Sequence, residues 1–271
     1  MSLPTAAAPD QESCAHCLLD RDGTVLAAES AQRPFYAAST IKLHVLLAAL
    51  QLAERGGLDL DELVPARRTF TGADGAPFTL GGDHLDPTHP AEGTPVRVRE
   101  LLQRMIDRSS NEATDHVLAL IGLPAVTETI RGLGLTTTRV ERLIGDPGAL
   151  AAGATNETGA EDLSRTMLAA VCGATRTDAT SPLLTTASLD LVRAALRAQQ
   201  IPVITTALRP GLDHGSKSGW VDGYRHDVAF IGDPDGEELR VLAVMTAGLG
   251  PEAADRRIRQ RVRELLPDLV T

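Results

Sequence analysis

Lysine is the scarcest charged residue in this chain of 271 residues. Only two of its 26 basic residues are lysines, Lys42 and Lys217, and the others are arginines. A coding bias explains the scarcity, but it does not determine where the two remaining lysines lie. Arginine keeps its proton in proteins, whereas a lysine can lose its proton when it is desolvated. The two lysines are therefore candidates for proton chemistry.

The chain is also poor in aromatic residues, at 3%, and its formal net charge is −10. Hydrophobic residues make up 43%, which predicts a packed, largely aliphatic core. Nucleic-acid binding requires a basic face, so the negative charge argues against a nucleic-acid partner. The longest apolar run, around residues 43–50, is too short to span a bilayer, and we predict no membrane partner.

The three cysteines, Cys14, Cys17 and Cys172, lack the spacing of a disulfide framework. A Cys-x-x-Cys pair can bind a metal or undergo redox chemistry, but this sequence contains neither a second ligand pair nor a thioredoxin-like context. We therefore interpret the cysteines as incidental, and we predict no metal and no cofactor. No signal-peptide pattern precedes Arg21, which predicts a cytoplasmic protein unless a signal segment has been removed.

Hydrophobic periodicity predicts strands at both ends of the chain and helices between them. Turn sequences at 20–23 and 233–236 each separate two apolar stretches and predict two hairpins. The segment 39–53 is apolar nearly all round and predicts a buried central helix. Further helices are predicted at about 97–107, 111–121, 124–132, 160–173, 185–198 and 252–266. The stretches 58–96 and 143–159 are predicted to be long connections, the first with short elements.

This order of elements predicts an α+β fold. An antiparallel sheet built from both termini is flanked by helices, and an all-helical domain is inserted into it. The predicted domains are a discontinuous sheet domain, residues 1–40 and 205–271, and a helical domain, residues 41–204. We expect the active site between them.

The first candidate site is Ser39-x-x-Lys42 at the start of the central helix. Residues three apart on a helix share a face, so the Ser39 hydroxyl and the Lys42 amine can meet. A serine hydroxyl needs a base, and a buried lysine whose pKa is lowered by desolvation and by a second cation can serve. A helix N-terminus also directs a backbone N–H at a developing oxyanion. The motif is common by chance, but here it contains half of the lysines.

The second candidate is Ser109-Ser110-Asn111, between two predicted helices. A hydroxyl and an amide on one turn can reach into a cleft together. Serine is also a preferred helix N-cap, so an ordinary cap explains the segment equally well.

The third candidate is Lys217-Ser218-Gly219-Trp220, which has the pattern of a strand edge. It offers a cation, a hydroxyl, a small residue that lets a substrate approach, and backbone N–H groups. An ordinary edge strand is the alternative interpretation.

Together and in this order, the three segments resemble the S-x-x-K, S-D-N and K-[ST]-G motifs of the serine β-lactamase and penicillin-binding protein superfamily, most closely its class A branch. The gaps between them are 70 and 108 residues. Residues 36–43, 105–113 and 223–228 also resemble the family's segments around these motifs. The resemblance covers about residues 14–265 and implies the class A fold.

The resemblance assigns roles to the motif residues. Ser39 is the acylated nucleophile, Lys42 is its base or part of its proton relay, and Ser109 passes a proton to the leaving nitrogen. The implied substrate-binding residues are Asn111, Lys217, Ser218, Gly219, Trp220 and Arg225. Asn111 would hold the amide carbonyl, while Lys217 and Ser218 would bind a carboxylate, with Arg225 as a second cation. The oxyanion would lie between the backbone N–H groups of Ser39 and Trp220.

Two departures from the family are mild. Ser110 stands where class A enzymes usually carry an Asp, at a position that is largely structural in the family. Little sequence precedes the first predicted strand, so the helix that the family has there is expected to be short or absent.

A larger departure concerns residues 139–158, where class A enzymes carry a Glu-x-x-Leu-Asn segment that positions the deacylating water. A direct count places Ile144 near the Glu position. Asp146 is the nearest acid if the loop shifts by two residues, but its side chain is shorter by one methylene. Asn156 stands where the family has an Asp that pairs with the loop's arginine, here Arg142, which predicts that this ion pair is lost.

These observations predict a monomeric serine β-lactamase whose substrate is a small molecule with a carboxylate. Losing a positioned base costs on the order of 10²–10⁴ in rate, so we expect slow or differently catalysed deacylation. A related esterase, amidase or acyltransferase is the main alternative, favoured by the missing Glu and signal segment. The third hypothesis is a penicillin-binding protein that stays acylated or never reacts. The intact motifs argue against a complete loss of chemistry.

Overall fold

The computed structural model describes residues 11–82, 85–173 and 183–271, and these ranges contain twelve β-strands and eight α-helices. The strands are β1 Ser13–Asp20, β2 Val25–Glu29, β3 Phe35–Tyr36, β4 Leu63–Pro65, β5 Thr69–Thr71, β6 Pro77–Thr79, β7 Pro95–Arg97, β8 Arg139–Val140, β9 Asn156–Thr158, β10 His214–Val221, β11 Tyr224–Ile231 and β12 Arg240–Ala247. The helices are α1 Lys42–Glu54, α2 Val98–Asp107, α3 Asn111–Ile121, α4 Leu123–Gly132, α5 Pro147–Ala151, α6 Ala160–Cys172, α7 Thr186–Arg197 and α8 Pro251–Leu265.

A five-stranded antiparallel sheet in the order β10-β11-β12-β1-β2 unites the two ends of the chain. The first and last strands pair beside each other, with Ser13 opposite Ala247 and Asp20 opposite Arg240. Both predicted hairpins are confirmed, because β1 pairs with β2 and β11 pairs with β12. The α+β class and the sheet built from both termini are confirmed as well, while the domain boundaries at 40/41 and 204/205 stay a prediction.

Helices cover both faces of the sheet because side chains alternate between the faces along each strand. On one face, α6 lies against the sheet, and the Ser164 hydroxyl donates to the backbone oxygen of Cys17 at 2.9 Å. On the other face, α8 buries Ala254, Ile258 and Val262. The expected amphipathic terminal helix therefore exists, with its apolar stripe against the sheet.

The predicted central helix is confirmed and is the structural base of the site. A 3₁₀ turn, Ala38–Ile41, leads into α1, which is buried from Lys42 to Leu50. The helices α3, α4 and α6 pack around α1. An apolar surface on all sides is what such an enclosed position requires.

The prediction for residues 143–159 is wrong, because this segment contains α5 and β9. Pro147 occupies the first turn of α5, a position that tolerates a residue without an N–H. The three residues of β9 pair with β3 and β8. The stretch 58–96 does hold short elements, the strands β4 to β7. The helix that the family has before the first strand, predicted to be short or absent in this chain, would fall in residues 1–10, outside the described residues.

Three further structural facts concern membranes, metals and cysteines. No helix in the described ranges is both long enough and apolar enough to cross a membrane. The described residues also contain no group of three or more His, Cys, Asp or Glu side chains placed to hold a metal ion. The three cysteines are free.

The histidine at position 44 of α1 gives a stability prediction. His44 is 0% exposed, and burial lowers its pKa from 6.5 to about 4. Between these pH values the unfolded chain binds a proton here that the folded chain does not. The stability contributed by neutral His44 is therefore present above pH 6.5 and falls by up to about 3 kcal/mol as the pH approaches 4.

Replacing His44 with Leu should flatten this part of the pH dependence, because leucine does not titrate. The free energy of unfolding in urea, measured for both proteins across this window, checks the prediction. A constant offset between two parallel pH curves would show that His44 does not carry the linkage.

Candidate active site

The nucleophile candidate lies in the tight turn between β3 and α1. Ala38, just before Ser39, has a φ of 48°, in the left-handed region that residues other than glycine rarely adopt. The turn is fixed by its neighbours: the N–H of Ala37 donates to the oxygen of Asn156 at 2.9 Å, and the Thr40 hydroxyl donates to the oxygen of Ala37 at 2.6 Å. Ser39 is half-buried and lines a cleft of about 440 Å³.

Lys42 is fully buried one turn after Ser39. Its Nζ donates to the backbone oxygen of Ser109, to the Ser109 hydroxyl at 3.2 Å and to Asn111 Oδ1 at 2.7 Å. Ser39 Oγ is not one of these three acceptors. The Asn111 amide therefore faces the lysine with its oxygen.

The electrostatics favour a neutral Lys42. Burial is the main cause that lowers its pKa well below 10.5, and the positive charge of Lys217 lowers it further. Asp115 and Glu112 act in the opposite direction and are the smaller influences. A lysine that is neutral near physiological pH can accept a proton, which an arginine in this position could not.

Ser109 links the two lysines of the chain. Its hydroxyl lies 3.0 Å from Lys217 Nζ and 3.2 Å from Lys42 Nζ. Lys217 is also fully buried, and burial lowers its pKa to about 7. The backbone of Ser109 adopts a φ of 57°, and its side chain lines the cleft. The structure therefore brings together Lys42, Ser109, Asn111 and Lys217 around the turn that holds Ser39.

The neighbouring Ser110 plays the other role considered for this segment. Its hydroxyl accepts the N–H of Ala113 at 3.1 Å and so caps α3, and it donates to Glu112 Oε2 at 3.1 Å. Both interpretations of the segment thus apply, but to different residues.

The edge strand β10 presents Ser218, Gly219 and Trp220 to the cleft. A Cβ atom on Gly219 would lie 2.8 Å from the backbone nitrogen of Ser39 and 2.8 Å from that of Thr40. Only glycine allows the strand to approach the nucleophile's N–H this closely. The approach is what an oxyanion site shared between the Ser39 and Trp220 N–H groups requires.

Replacing Gly219 with Ala should slow acylation of Ser39 by about 10²–10³, the effect of losing an oxyanion donor, because the methyl group displaces the strand from the Ser39 N–H. The control is Gly132→Ala, where an added methyl meets no atom within 4 Å. Adduct formation followed by mass spectrometry measures both rates. Equal rates for the two variants would rule out the proposed close packing as a requirement.

The cleft wall opposite β10 is formed in part by Ile144 and Gly145, where the resemblance placed the family's Glu. The N–H of Ile144 donates to Asp115 Oδ1 at 2.7 Å. Asp115 is 0% exposed and does not line the cleft. Burial raises its pKa well above 3.8. The Asp115 carboxyl therefore anchors the backbone of Ile144 and is withdrawn from the cleft.

Asp146 is not placed as a general base, which corrects the sequence-based suggestion. Its Oδ1 accepts the N–H of Ala149 at 3.1 Å and caps α5, and its Oδ2 accepts the N–H of Ala73 at 2.9 Å. The residue is 2% exposed and is not among those that line the cleft. Two backbone N–H groups therefore hold the Asp146 carboxylate. One of them belongs to the first turn of α5, and Asp is among the residues preferred at such an N-cap position.

The sequence predicts Arg225 as a second cation for the substrate carboxylate. Its Nε donates to Asp255 Oδ1 of α8 at 2.7 Å, so its side chain lies on the α8 side of the sheet. The next residue, His226, lies on the opposite side, where its Nε2 is 2.9 Å from the oxygen of Tyr36. In the register of the sheet Arg225 lies directly opposite Trp220, which lines the cleft, so its role as a second cation stays a prediction. The cleft-lining arginine that the sequence analysis missed is Arg108.

The loop that was predicted to lack its ion pair is held by hydrogen bonds to uncharged acceptors. Arg142 is 2% exposed and donates to two backbone oxygens and to the Tyr36 hydroxyl at 2.9 Å. The Asn156 amide accepts the N–H of Glu141 and donates to the oxygen of Arg142. No carboxylate in the described ranges lies within ion-pair distance of Arg142, as predicted.

The protein has the fold of the class A β-lactamases, as its sheet, its helices and the position of its cleft show. The sequence model of the Beta-lactamase enzyme family matches residues 6–267, and the chain belongs to this family. A β-lactamase from Xanthomonas campestris pv. campestris is 26% identical, with a TM-score of 0.76 over 95% of this chain and 91% of that one.

Two other solved structures share the fold at lower identity. A β-lactamase from Sphaerobacter thermophilus is 23% identical, with a TM-score of 0.74 over 94% of this chain and 90% of that one. PBP-A is 20% identical, with a TM-score of 0.75 over 97% of this chain and 91% of that one. These two similarities show the fold alone. No curated protein matches the chain.

Proposed function

We propose that this protein is a serine hydrolase that forms an acyl-enzyme at Ser39 with β-lactams and releases the product slowly. The observation that supports this most is the Ser109 hydroxyl, which lies between two buried lysines, 3.2 Å from Lys42 Nζ and 3.0 Å from Lys217 Nζ. Such a chain of amines and a hydroxyl provides a proton path beside the nucleophile.

Acylation then follows from the positions of these groups. Neutral Lys42 accepts the proton of the Ser39 hydroxyl, and Oγ attacks the lactam carbonyl carbon. The carbonyl oxygen becomes an oxyanion that the N–H groups of Ser39 and Trp220 stabilise. When the C–N bond breaks, the Ser109 hydroxyl gives its proton to the leaving nitrogen and regains one from Lys42. The lysine is neutral again, and the acyl group is bound to Ser39.

The substrate's carboxylate would bind at the β10 side of the cleft. Lys217 is buried and donates to Ser109 Oγ and to the backbone oxygen of Ser218 at 2.7 Å. It therefore acts through its positive potential, while the Ser218 hydroxyl lines the cleft and can donate directly.

Deacylation lacks an evident base. Ile144 and Gly145 form the wall where the family's Glu would hold the water, and Asp222 is the one acidic residue among the described residues that line the cleft. Asp222 is exposed in the turn between β10 and β11. Without a positioned base we expect the acyl-enzyme to be hydrolysed about 10²–10⁴ times more slowly than with one.

Nitrocefin turnover tests the proposal. We expect a rapid burst of about one product per enzyme molecule followed by slow steady-state turnover, because acylation is faster than hydrolysis. Ser39→Ala should abolish both phases. Turnover that persists in Ser39→Ala would overturn the nucleophile assignment, and the absence of any reaction in the wild type would overturn the proposed β-lactam substrate.

A second candidate function is acyl transfer or hydrolysis with an ester, amide or peptide in place of a β-lactam. The apolar wall at Ile144 favours it, since such a wall places no base beside an attacking water. A screen of short-chain nitrophenyl esters separates the two. Ester turnover that requires Ser39, together with no reaction with nitrocefin, would favour this second function.

A further inference from the structure

Arg108 lies between two cavities. It directly precedes Ser109, lines the cleft and also lines a groove of about 700 Å³ between α2 and α7. Its side chain is 30% exposed. Arg142 is the other arginine among the described cleft-lining residues, but it is 2% exposed and bonded to the protein. Among the described arginines that line the cleft, Arg108 is therefore the one whose side chain is exposed to a bound substrate.

The contacts of Arg108 orient its guanidinium without enclosing it. Nη1 donates to the Thr88 hydroxyl at 2.9 Å, and Nε lies 3.6 Å from Asp107 Oδ1. Within the described ranges, Nη2 forms no hydrogen bond. A planar guanidinium held at one edge can present its other edge to a carboxylate or a similar planar anion.

The groove beyond Arg108 is also rich in arginine. Four arginines line it, against three acidic residues. The arginines are Arg97, Arg99, Arg104 and Arg108, and the acids are Glu100, Asp107 and Asp190. Three of these arginines are already paired with acids: Arg97 and Arg99 with Asp61, and Arg104 with Asp86 and Glu100. The exposed guanidinium of Arg108 is therefore the feature of this region that favours a negatively charged group.

We propose that Arg108 determines substrate specificity by binding an anionic group on the leaving-group side of the acyl donor. This inference rests on the proposed function, in which Ser109 protonates the leaving nitrogen. A group attached to that nitrogen then lies beside Ser109, in the cleft that Arg108 also lines. The preferred substrates are β-lactams whose leaving portion carries a negative charge in addition to the carboxylate common to the class.

The test compares the acylation rates of two cephalosporins that have the same acyl side chain. Cefotaxime has a neutral acetoxymethyl group at C3, whereas ceftriaxone has an acidic heterocycle there that is anionic at neutral pH. We expect ceftriaxone to acylate Ser39 about three- to fivefold faster, the range for a solvent-exposed ion pair, and the preference to shrink with added salt. Mass spectrometry of adducts at early times measures both rates.

In Arg108→Gln we expect the preference to disappear, because the ceftriaxone rate falls more than the cefotaxime rate. Arg108→Lys keeps the positive charge and should keep part of the preference. This result would show that the loss in Arg108→Gln does not come from poor folding. Arg131→Gln, on the exposed surface of α4, is the matched control and should keep the full preference.

The outcomes separate the two proposals. No adduct with either compound would refute the proposed function and this inference with it. Adducts with both compounds, but at equal rates in the wild type or with a preference that survives in Arg108→Gln, would overturn the role of Arg108 alone.

Discussion

Replacing Lys42 with arginine should abolish acylation of Ser39, even though the substitution keeps the positive charge. Lys42 is fully buried, and its pKa is held well below 10.5 by burial and by Lys217. An arginine at this position stays protonated and cannot accept the proton of Ser39. We expect the loss of a general base, on the order of 10²–10⁴ in the acylation rate.

Two further variants make this prediction specific. Lys42→Met has a similar length and no charge, so it tests the loss of the base without overpacking the buried site. Lys217→Arg should slow acylation by only about tenfold, the effect of roughly 1.4 kcal/mol, because Lys217 acts through its charge. Thermal melts identify variants that fail to fold. Wild-type acylation by a folded Lys42→Met protein would mean that another group is the base.

Placing a carboxylate in the cleft wall should accelerate deacylation. Ile144 lines the cleft, and its backbone is anchored by Asp115. In Ile144→Glu the new carboxylate can activate a water beside the acyl group, and a positioned base contributes on the order of 10²–10⁴. We expect a shorter lifetime of the penicillin adduct and faster steady-state hydrolysis, with the acylation rate little changed.

The neighbouring acid should limit this gain. A glutamate at position 144 would lie beside Asp115, and two close carboxyls raise each other's pKa, which disfavours the charged base. Asp115→Asn keeps an oxygen for the N–H of Ile144 and removes the repulsion. We therefore expect Ile144→Glu combined with Asp115→Asn to deacylate faster than Ile144→Glu alone.

Ile201→Glu is the control for this experiment, because Ile201 also lines the cleft but belongs to a different segment. A carboxylate there should leave the adduct lifetime unchanged. If both glutamates shortened the lifetime equally, the effect would come from added charge and not from a base placed at the wall.

Sequence patterns were sufficient for the parts of the fold that depend on local periodicity. The buried helix α1 and both hairpins follow from apolar spacing and turn residues. The motif residues could be placed together because their order and separation resemble a known family. Lys42, Ser109, Asn111 and Lys217 then share hydrogen bonds in the structure.

Sequence patterns did not determine the direction in which individual side chains point. The contact of Arg225 with Asp255 depends on the phase of β11, and a single residue of strand register decides between the two faces of the sheet. Asp146 was considered as a base because it is acidic and close in sequence. Its position depends on the short helix α5, which it caps, and the glycines of this segment concealed that helix.

Arg108 was overlooked for a similar reason. In an arginine-rich sequence an arginine beside a motif serine carries little signal. Only the turn at Ser109, with its φ of 57°, and the packing of α2 against α7 show that this arginine lies at the junction of a cleft and a groove.

The central claim is an asymmetry between the two half-reactions, with buried lysines for acylation and an apolar wall where the hydrolytic base would be. Time-resolved mass spectrometry of the intact protein mixed with benzylpenicillin tests it most directly. We expect a rapid mass increase equal to one intact penicillin, located on Ser39 and lost only slowly. No adduct at any time, or an adduct cleared as fast as it forms, would contradict the account.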